Sequence, residues 1–135
     1  MTQIDHLVIA VKSIAEARQF YEKLGLEVRP EETVESEKVR VAMVPVGESR
    51  IELLEPTVPD STIAKFLEKR GQGLHHVALH VSNLAATVER LKASGTRLIN
   101  EEIKVGAGGH RYVFVHPVSA GGVLLELVED AGHSG

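Results

Sequence analysis

The sequence predicts an α+β chain built from two tandem βαβββ modules, and three observations carry that prediction. The opening segment Ile4-Asp5-His6-Leu7-Val8-Ile9-Ala10-Val11 recurs as Leu74-His75-His76-Val77-Ala78-Leu79-His80-Val81, an offset of 70 residues (6 to 76) that continues without a gap. Each copy is followed by a Ser or Asn, an amphipathic run and a glycine, Gly25 or Gly95, which is the pattern of a capped helix with a glycine stop. Each helix is followed by β-rich segments that close on Ile51-Glu52-Leu53-Leu54 in the first copy and Leu125-Glu126-Leu127 in the second.

The elements follow in order. Ile4–Val11 reads as the opening strand, and Ser13 caps a helix whose apolar residues Ile14, Ala17, Phe20, Tyr21 and Leu24 recur at helical spacing. A short strand is expected near Leu26–Val28, a longer one over Val39–Pro45, a turn at Gly47-Glu48-Ser49 and a closing strand over Ile51–Leu54. Ser61–Leu67 reads as a short linking helix. In the second copy Asn83 caps a helix with Leu84, Thr87, Val88 and Leu91 on one face; short strands near Arg97–Ile99, over Tyr112–Pro117 and over Val123–Leu127 follow, the last two separated by a turn at Gly121-Gly122. The offset of the closing strands is 74 (52 to 126), as a longer turn requires. A single domain is therefore expected over 1–130, with modules at about 3–56 and 73–130, a linker at 57–72 and a disordered tail at 131–135.

Composition narrows the function classes. The chain has 135 residues, enough for one modest core, and only two Tyr and three Phe, so that core is built from Val, Leu, Ile and Ala. It has no cysteine, which excludes disulfides, zinc–thiolate sites and a Cys nucleophile. The net charge is −4 with no Lys/Arg cluster, so nucleic acid is not an expected partner. No apolar run approaches the length of a membrane span and no signal peptide is read, so no membrane partner and a cytoplasmic location are expected.

Strand alternation sends one polar residue among apolar neighbours to a chosen face. His6 and His76 hold the same position in the two opening strands, and Glu52 and Glu126 hold equivalent positions in the two closing strands. A lone strand histidine is ordinarily a satisfied core or edge residue, and a lone strand glutamate ordinarily faces water. Four such residues at symmetry-equivalent positions argue for convergence about a pseudo-twofold axis, as a metal-binding cup. A carboxylate buried among Ile51, Leu53, Leu125 and Leu127 carries a heavy desolvation cost unless paired or metal-bound. Two imidazoles with two carboxylates suit Co²⁺, Mn²⁺, Ni²⁺, Fe²⁺ or Zn²⁺. His75, His80, His110 and His116 are weaker candidates, His75 because it must face away from His76.

These residues resemble the vicinal oxygen chelate (glyoxalase) superfamily and, more narrowly, the methylmalonyl-CoA epimerases, over nearly the whole chain. The resemblance is carried by Ile4-Asp5-His6, Phe20-Tyr21 with Leu24-Gly25, and Ile51-Glu52-Leu53-Leu54-Glu55-Pro56 followed by Ile63-Ala64-Lys65-Phe66-Leu67. It continues through Gly73-Leu74-His75-His76-Val77-Ala78, Gly106-Ala107-Gly108-Gly109-His110-Arg111, and His116-Pro117 with Gly121-Gly122-Val123-Leu124-Leu125-Glu126-Leu127. It implies inversion at C2 of a methylmalonyl-CoA thioester by removal and return of the α-proton, with a divalent metal, Co²⁺ or Mn²⁺ before Ni²⁺, Zn²⁺ or Fe²⁺, stabilising the enolate. By position the metal ligands are His6, Glu52, His76 and Glu126, and Glu126 also matches a proposed acid/base. A homodimer is expected from the same resemblance.

The chain departs from the pattern in one strand. Some relatives carry a second catalytic glutamate in the strand corresponding to Val39–Val44, where this chain has Arg40 and no carboxylate, with Glu35 and Glu37 only ahead of it. Glu52 is the preferred second acid/base and Glu37 the alternative. The Gly106–Gly109 stretch is no P-loop; read functionally it closes over the thioester, with Gly108, Gly109, Lys104 and Arg111 as substrate-binding candidates. Val118 stands where relatives often have Lys. The competing readings are a glyoxalase I-type lactoylglutathione lyase and a metal-free ligand-binding protein of the same fold.

Overall fold

Two capped helices set the frame. Ser13 accepts the Glu16 amide at 3.2 Å and Asn83 accepts the Ala86 amide at 3.0 Å, each opening a ten-residue helix, α1 (Ile14–Lys23) and α3 (Leu84–Ala93). Both helices close on the same glycine motif. Gly25, at φ +88°, lets its own N–H reach Glu22 and the Leu26 N–H reach Tyr21; Gly95, at φ +83°, repeats the pair onto Lys92 and Leu91. The left-handed backbone is why glycine stands at both stops.

The computed structural model describes residues 2–106 and 109–130. Its contacts separate two compact units, one of His6–His75 and one of the residues that flank it on either side. The first carries β1 (Gln3–Ala10) from His6 onward, α1, β2 (Glu32–Val34), β3 (Val39–Val46), β4 (Ser49–Pro56) and α2 (Thr62–Arg70). Its strands lie in the order β2-β3-β4-β1, with β1 parallel to β4 and the other pairs antiparallel. The second carries β5 (Gly73–His80) from His76 onward, α3, β6 (Lys104–Val105), β7 (Arg111–Val115) and β8 (Leu125–Glu129). Its order is β5-β8-β7-β6, again with the parallel pair at one end. Each unit is therefore a βαβββ module, and the chain is α+β.

Each unit has its own core under its helix. Val11, Ile14, Ala42, Val44 and Leu53 pack between α1 and one face of the first strands. Val81, Leu84, Val88, Val113, Val115 and Leu127 do the same under α3. On the opposite face of the first unit, Ile63 of α2 packs on Ala10 and Val39. The pleat thus gives every strand an α1 or α3 face and a far face, and the far face carries the polar residues of interest.

The structure departs from the sequence reading at the short strands. Leu26–Val28 forms no strand: Val28 is buried by its side chain, and the short strand lies further on, at Glu32–Val34. Around Arg97–Ile99, Leu98 makes a single bridge to Val115, and the short strand is Lys104–Val105. Apolar burial there mimics a strand signal without a ladder. The closing strand starts at Leu125 rather than Val123, because Gly121 and Gly122, at φ +69° and +90°, prolong the turn. The linking helix runs on to Arg70, and Ser61 is its cap, accepting the Ala64 amide at 3.0 Å. The tail expected to be disordered lies outside the described residues. Among the described residues no helix is long and apolar enough to cross a membrane.

Candidate functional site

Burial singles out the site residues first. Among the described residues, the buried polar or charged side chains are His6, Ser61, His76 and Glu126. Ser61 is accounted for by its cap on α2. The other three are all of metal-ligating type, in an interior where an uncompensated charge is costly.

In the second unit, β5 and β8 run parallel with Ala78 beside Glu126, so His76 and Glu126 share the far face. His76 Nε2 lies 3.1 Å from Glu126 Oε1, a buried hydrogen bond. The antiparallel β7–β8 register puts Phe114 opposite Glu126, and the Phe114 ring stands edge-on to the His76 imidazole, centroids 5.3 Å apart. Tyr112 and His110 extend this stripe, Tyr112 edge-on to Phe114 and His110 tilted against Tyr112. The pair is thus fixed by a hydrogen bond on one side and an aromatic edge on the other.

The equivalent pair of the first unit is built differently. His6 Nε2 stands 3.8 Å from Glu52 Oε2, beyond hydrogen-bond range but within ion-pair range. Arg50 intervenes: its Nε donates to Glu52 Oε2 at 2.8 Å, and its Nη2 lies 3.3 Å from His6 Nδ1. Glu52 is mostly but not fully buried, its side chain 14% exposed. The sequence reading did not single out Arg50. The available signal was period 2, which places a residue two before Glu52 on the same face.

The substrate-binding candidates divide by face. Lys104 is opposite Tyr112 in the β6–β7 ladder and so shares the face of Phe114 and Glu126. Arg111 lies opposite Glu129, on the α3 face, and forms an ion pair with it; Arg40 pairs with Glu55 in the same way at 3.5 Å in the first unit. Arg111 therefore points to the α3 face, away from Glu126. Gly109, at φ +80°, donates its N–H to the Gly106 carbonyl at 3.0 Å. A side chain at Gly106 would meet the His110 ring within 3 Å. Gly108 lies outside the described residues.

The remaining candidates have local partners. His75 stands edge-on to Phe66, His80 pairs with Asp130 at 3.3 Å, and His116 Nδ1 accepts the Val118 amide at 3.0 Å. Glu35 and Glu37 lie exposed in a 3-10 turn, and the far face of β3 presents Val39, Val41 and Met43, without a carboxylate. The donor set of the two pairs, imidazole nitrogens with carboxylate oxygens and no thiolate, fits a first-row divalent cation.

Comparison with known proteins gives the relatives of this arrangement. The profile of the Glyoxalase/Bleomycin resistance protein/Dioxygenase superfamily matches residues 5–114. The chain is 44% identical over 133 residues to the uncharacterised protein YqjC of Bacillus subtilis (strain 168), covering 98% of this chain and 95% of that one. It is 40% identical to the mitochondrial methylmalonyl-CoA epimerase of Bos taurus, covering 93% of this chain and 73% of the relative. It is 37% identical to the ethylmalonyl-CoA/methylmalonyl-CoA epimerase of Cereibacter sphaeroides, covering 93% and 96%. Among solved structures, a hypothetical protein of Bacillus halodurans C-125 superposes with a TM-score of 0.90 at 41% identity, covering 99% and 98%. The methylmalonyl-CoA epimerase of Mycobacterium tuberculosis superposes with a TM-score of 0.83 at 40% identity, covering 95% and 87%. A methylmalonyl-CoA epimerase in complex with methylmalonyl-CoA and NH4+ gives 0.84 at 37% identity, covering 98% and 96%.

Proposed function

The chain belongs to the methylmalonyl-CoA epimerases of the glyoxalase superfamily, and from that premise we propose that it interconverts the two C2 epimers of methylmalonyl-CoA by a 1,1-proton transfer assisted by a divalent cation. The observation that carries this reading is the buried His76–Glu126 pair at 3.1 Å. A buried carboxylate backed by an imidazole on the far face of the strands is the equipment a proton transfer from carbon needs.

His6, Glu52, His76 and Glu126 are the residues that would hold the cation, Co²⁺ or Mn²⁺ in the first instance. When bound, such an ion supplies Lewis-acid stabilisation of the negative charge that gathers on the thioester oxygen. The chain's own groups do the rest. Glu126 takes the C2 proton onto a carboxylate oxygen, the C–H electrons passing into the thioester, and His76 keeps that carboxylate oriented. A proton returned to the opposite face of the planar carbon gives the other epimer. Glu52 is the group proposed for that face, since β3 offers no carboxylate on its far side.

Lys104, on the face of Tyr112 and Phe114, is proposed to meet anionic groups of the coenzyme A thioester, and Gly108, Gly109 and, more weakly, Arg111 are proposed as further substrate contacts. We also propose that the chain works as a homodimer, which light scattering on the purified protein tests. The reaction is tested by incubating one epimer of methylmalonyl-CoA in D2O with Co²⁺ or Mn²⁺. Deuterium entering C2 together with appearance of the other epimer is the expected result. The reading fails if neither occurs, and turnover of the methylglyoxal–glutathione adduct instead points to the lyase.

A further inference from the structure

Arg50 breaks the symmetry of the two units. By the 74-residue offset that relates Glu52 to Glu126, its counterpart is the uncharged Leu124. Only the first histidine–glutamate pair therefore has a guanidinium at this position. The β1–β4 register sets His6 directly beside Arg50. The Nε and Nη2 of Arg50 both reach Glu52 Oε2 at 2.8 Å, and Nη2 also lies 3.3 Å from His6 Nδ1.

Hydrogen-bond chemistry makes the His6 contact exclusive of a cation. A guanidinium has donors only, so Nδ1 of His6 is the acceptor. A neutral imidazole has one lone-pair nitrogen and one N–H. A cation at Nδ1 displaces Arg50 directly. A cation at Nε2 requires the proton on Nδ1, which then cannot accept from Arg50. Either way His6 serves Arg50 or the cation, never both. Glu52 has lone pairs enough for both partners, but the guanidinium charge on the oxygen that faces His6 Nε2 at 3.8 Å weakens that oxygen's pull on a cation.

We infer that Arg50 is a positioning residue that stands in for the divalent ion on the His6–Glu52 pair and yields its place when the ion binds. This rests on the metal reading above. In the metal-free protein Arg50 neutralises Glu52 and keeps the pair together. Its side chain is 34% exposed against 14% for Glu52 and 9% for His6, so it has solvent to move into. The consequence is a looser, more exchangeable hold on the metal than the bare pair would give, since a positive charge a few ångströms away opposes the ion.

The test uses the whole chain as wild type, Arg50→Leu (the residue of the equivalent position) and Arg50→Lys. Co²⁺ is titrated against a chelator of known affinity at fixed pH, and each protein is melted with and without Co²⁺. Arg50→Leu should bind Co²⁺ about tenfold or more tightly, on the order expected for removing a neighbouring unit charge. Without Co²⁺ it should melt below wild type, so that its Co²⁺-induced shift is the larger. Arg50→Lys, which keeps the charge and loses the fork, should fall between. Wild type that binds Co²⁺ while a folded Arg50→Leu binds it equally or more weakly overturns the inference and leaves the metal reading standing. Absence of Co²⁺ binding in every protein overturns both. Should Arg50→Leu fail to fold, Arg50→Lys carries the test, and an affinity no higher than wild type overturns the inference.

Discussion

Glu55 Oε1 accepts the backbone amide of Ile14 at 2.8 Å, so the last carboxylate of β4 caps the first turn of α1. The second unit repeats the bond: Glu129 Oε1 accepts the Leu84 amide at 2.8 Å. Ser13 and Asn83 already take the amides of Glu16 and Ala86, so each helix has two of its four open N–H groups satisfied by side chains. Arg40 and Arg111 hold the two capping carboxylates from the neighbouring strand. A charged cap at a helix N-terminus contributes about 1–2 kcal/mol. Glu55→Ala and Glu129→Ala are each expected to lower stability by that amount in urea unfolding, with Glu→Gln at either position costing about half. Turnover per folded molecule should stay at the wild-type level, because both carboxylates face the helices and not the His–Glu pairs.

The His76–Glu126 pair predicts the opposite behaviour. Glu126→Gln keeps a hydrogen-bonding oxygen at nearly the same volume but removes the base, and proton transfer by a positioned group contributes roughly 10²–10⁴-fold. Exchange of the C2 proton of methylmalonyl-CoA should therefore fall by about that factor, while the melting temperature moves by a few degrees. His76→Ala should abolish metal-dependent turnover and leave the circular dichroism spectrum native, since the core beneath α3 is built from Val81, Leu84, Val88, Val113, Val115 and Leu127 without it. A variant that unfolds yet retains its metal content would show His76 to be a core residue only.

The repeat made most of this arrangement legible in the sequence. A strand fixes faces by period 2, so the 70-residue offset put His6 and His76 at matching positions of the opening strands, and the 74-residue offset did the same for Glu52 and Glu126 in the closing strands. The capped helices were equally legible, because Ser13, Asn83, Gly25 and Gly95 each answer a local backbone need that only a few residue types meet. What the sequence hid depends on cross-strand register. Arg111 looked like an anion-binding residue beside a glycine-rich turn, and only the β7–β8 pairing shows that its side chain answers Glu129 on the α3 face. Arg50 was hidden for the same reason: its neighbour His6 comes from a strand 44 residues away. The short strands failed differently, because Val28 is buried by packing alone and apolar burial carries no information about ladder pairing.

Removing the metal gives a further prediction. Dialysis against a strong chelator should stop C2 proton exchange, and adding back Co²⁺ or Mn²⁺ should restore it. A ligand that binds only the folded chain stabilises it by RT ln(1 + [L]/Kd), about 2.7 kcal/mol at a hundredfold excess over Kd. The melting temperature should accordingly rise with free Co²⁺ concentration, and the metal-free protein should remain folded, since each unit keeps its own apolar core. A melting temperature independent of Co²⁺, with exchange surviving the chelator, removes the cation from the mechanism.

Lys104 and Arg111 provide the last contrast, because they are close in sequence and turned to opposite faces. Lys104 shares the face of Tyr112, Phe114 and Glu126, and its side chain sits on an exposed edge strand. Arg111 is tied to Glu129 across the ladder. A substrate bearing phosphates and a carboxylate meets its cations through charge-assisted bonds, and the loss of one such contact costs about 1.5–3 kcal/mol when it is well formed. Lys104→Ala is thus expected to raise KM for methylmalonyl-CoA about tenfold or more with kcat little changed, the sign of lost uniform binding. Arg111→Ala should leave KM within about twofold and instead lower stability by less than about 1 kcal/mol, as for an exposed ion pair. Measuring both constants and the urea midpoint for each variant separates the two roles. The reverse pattern, a KM defect at Arg111 and a stability defect at Lys104, would mean that the substrate approaches from the α3 face.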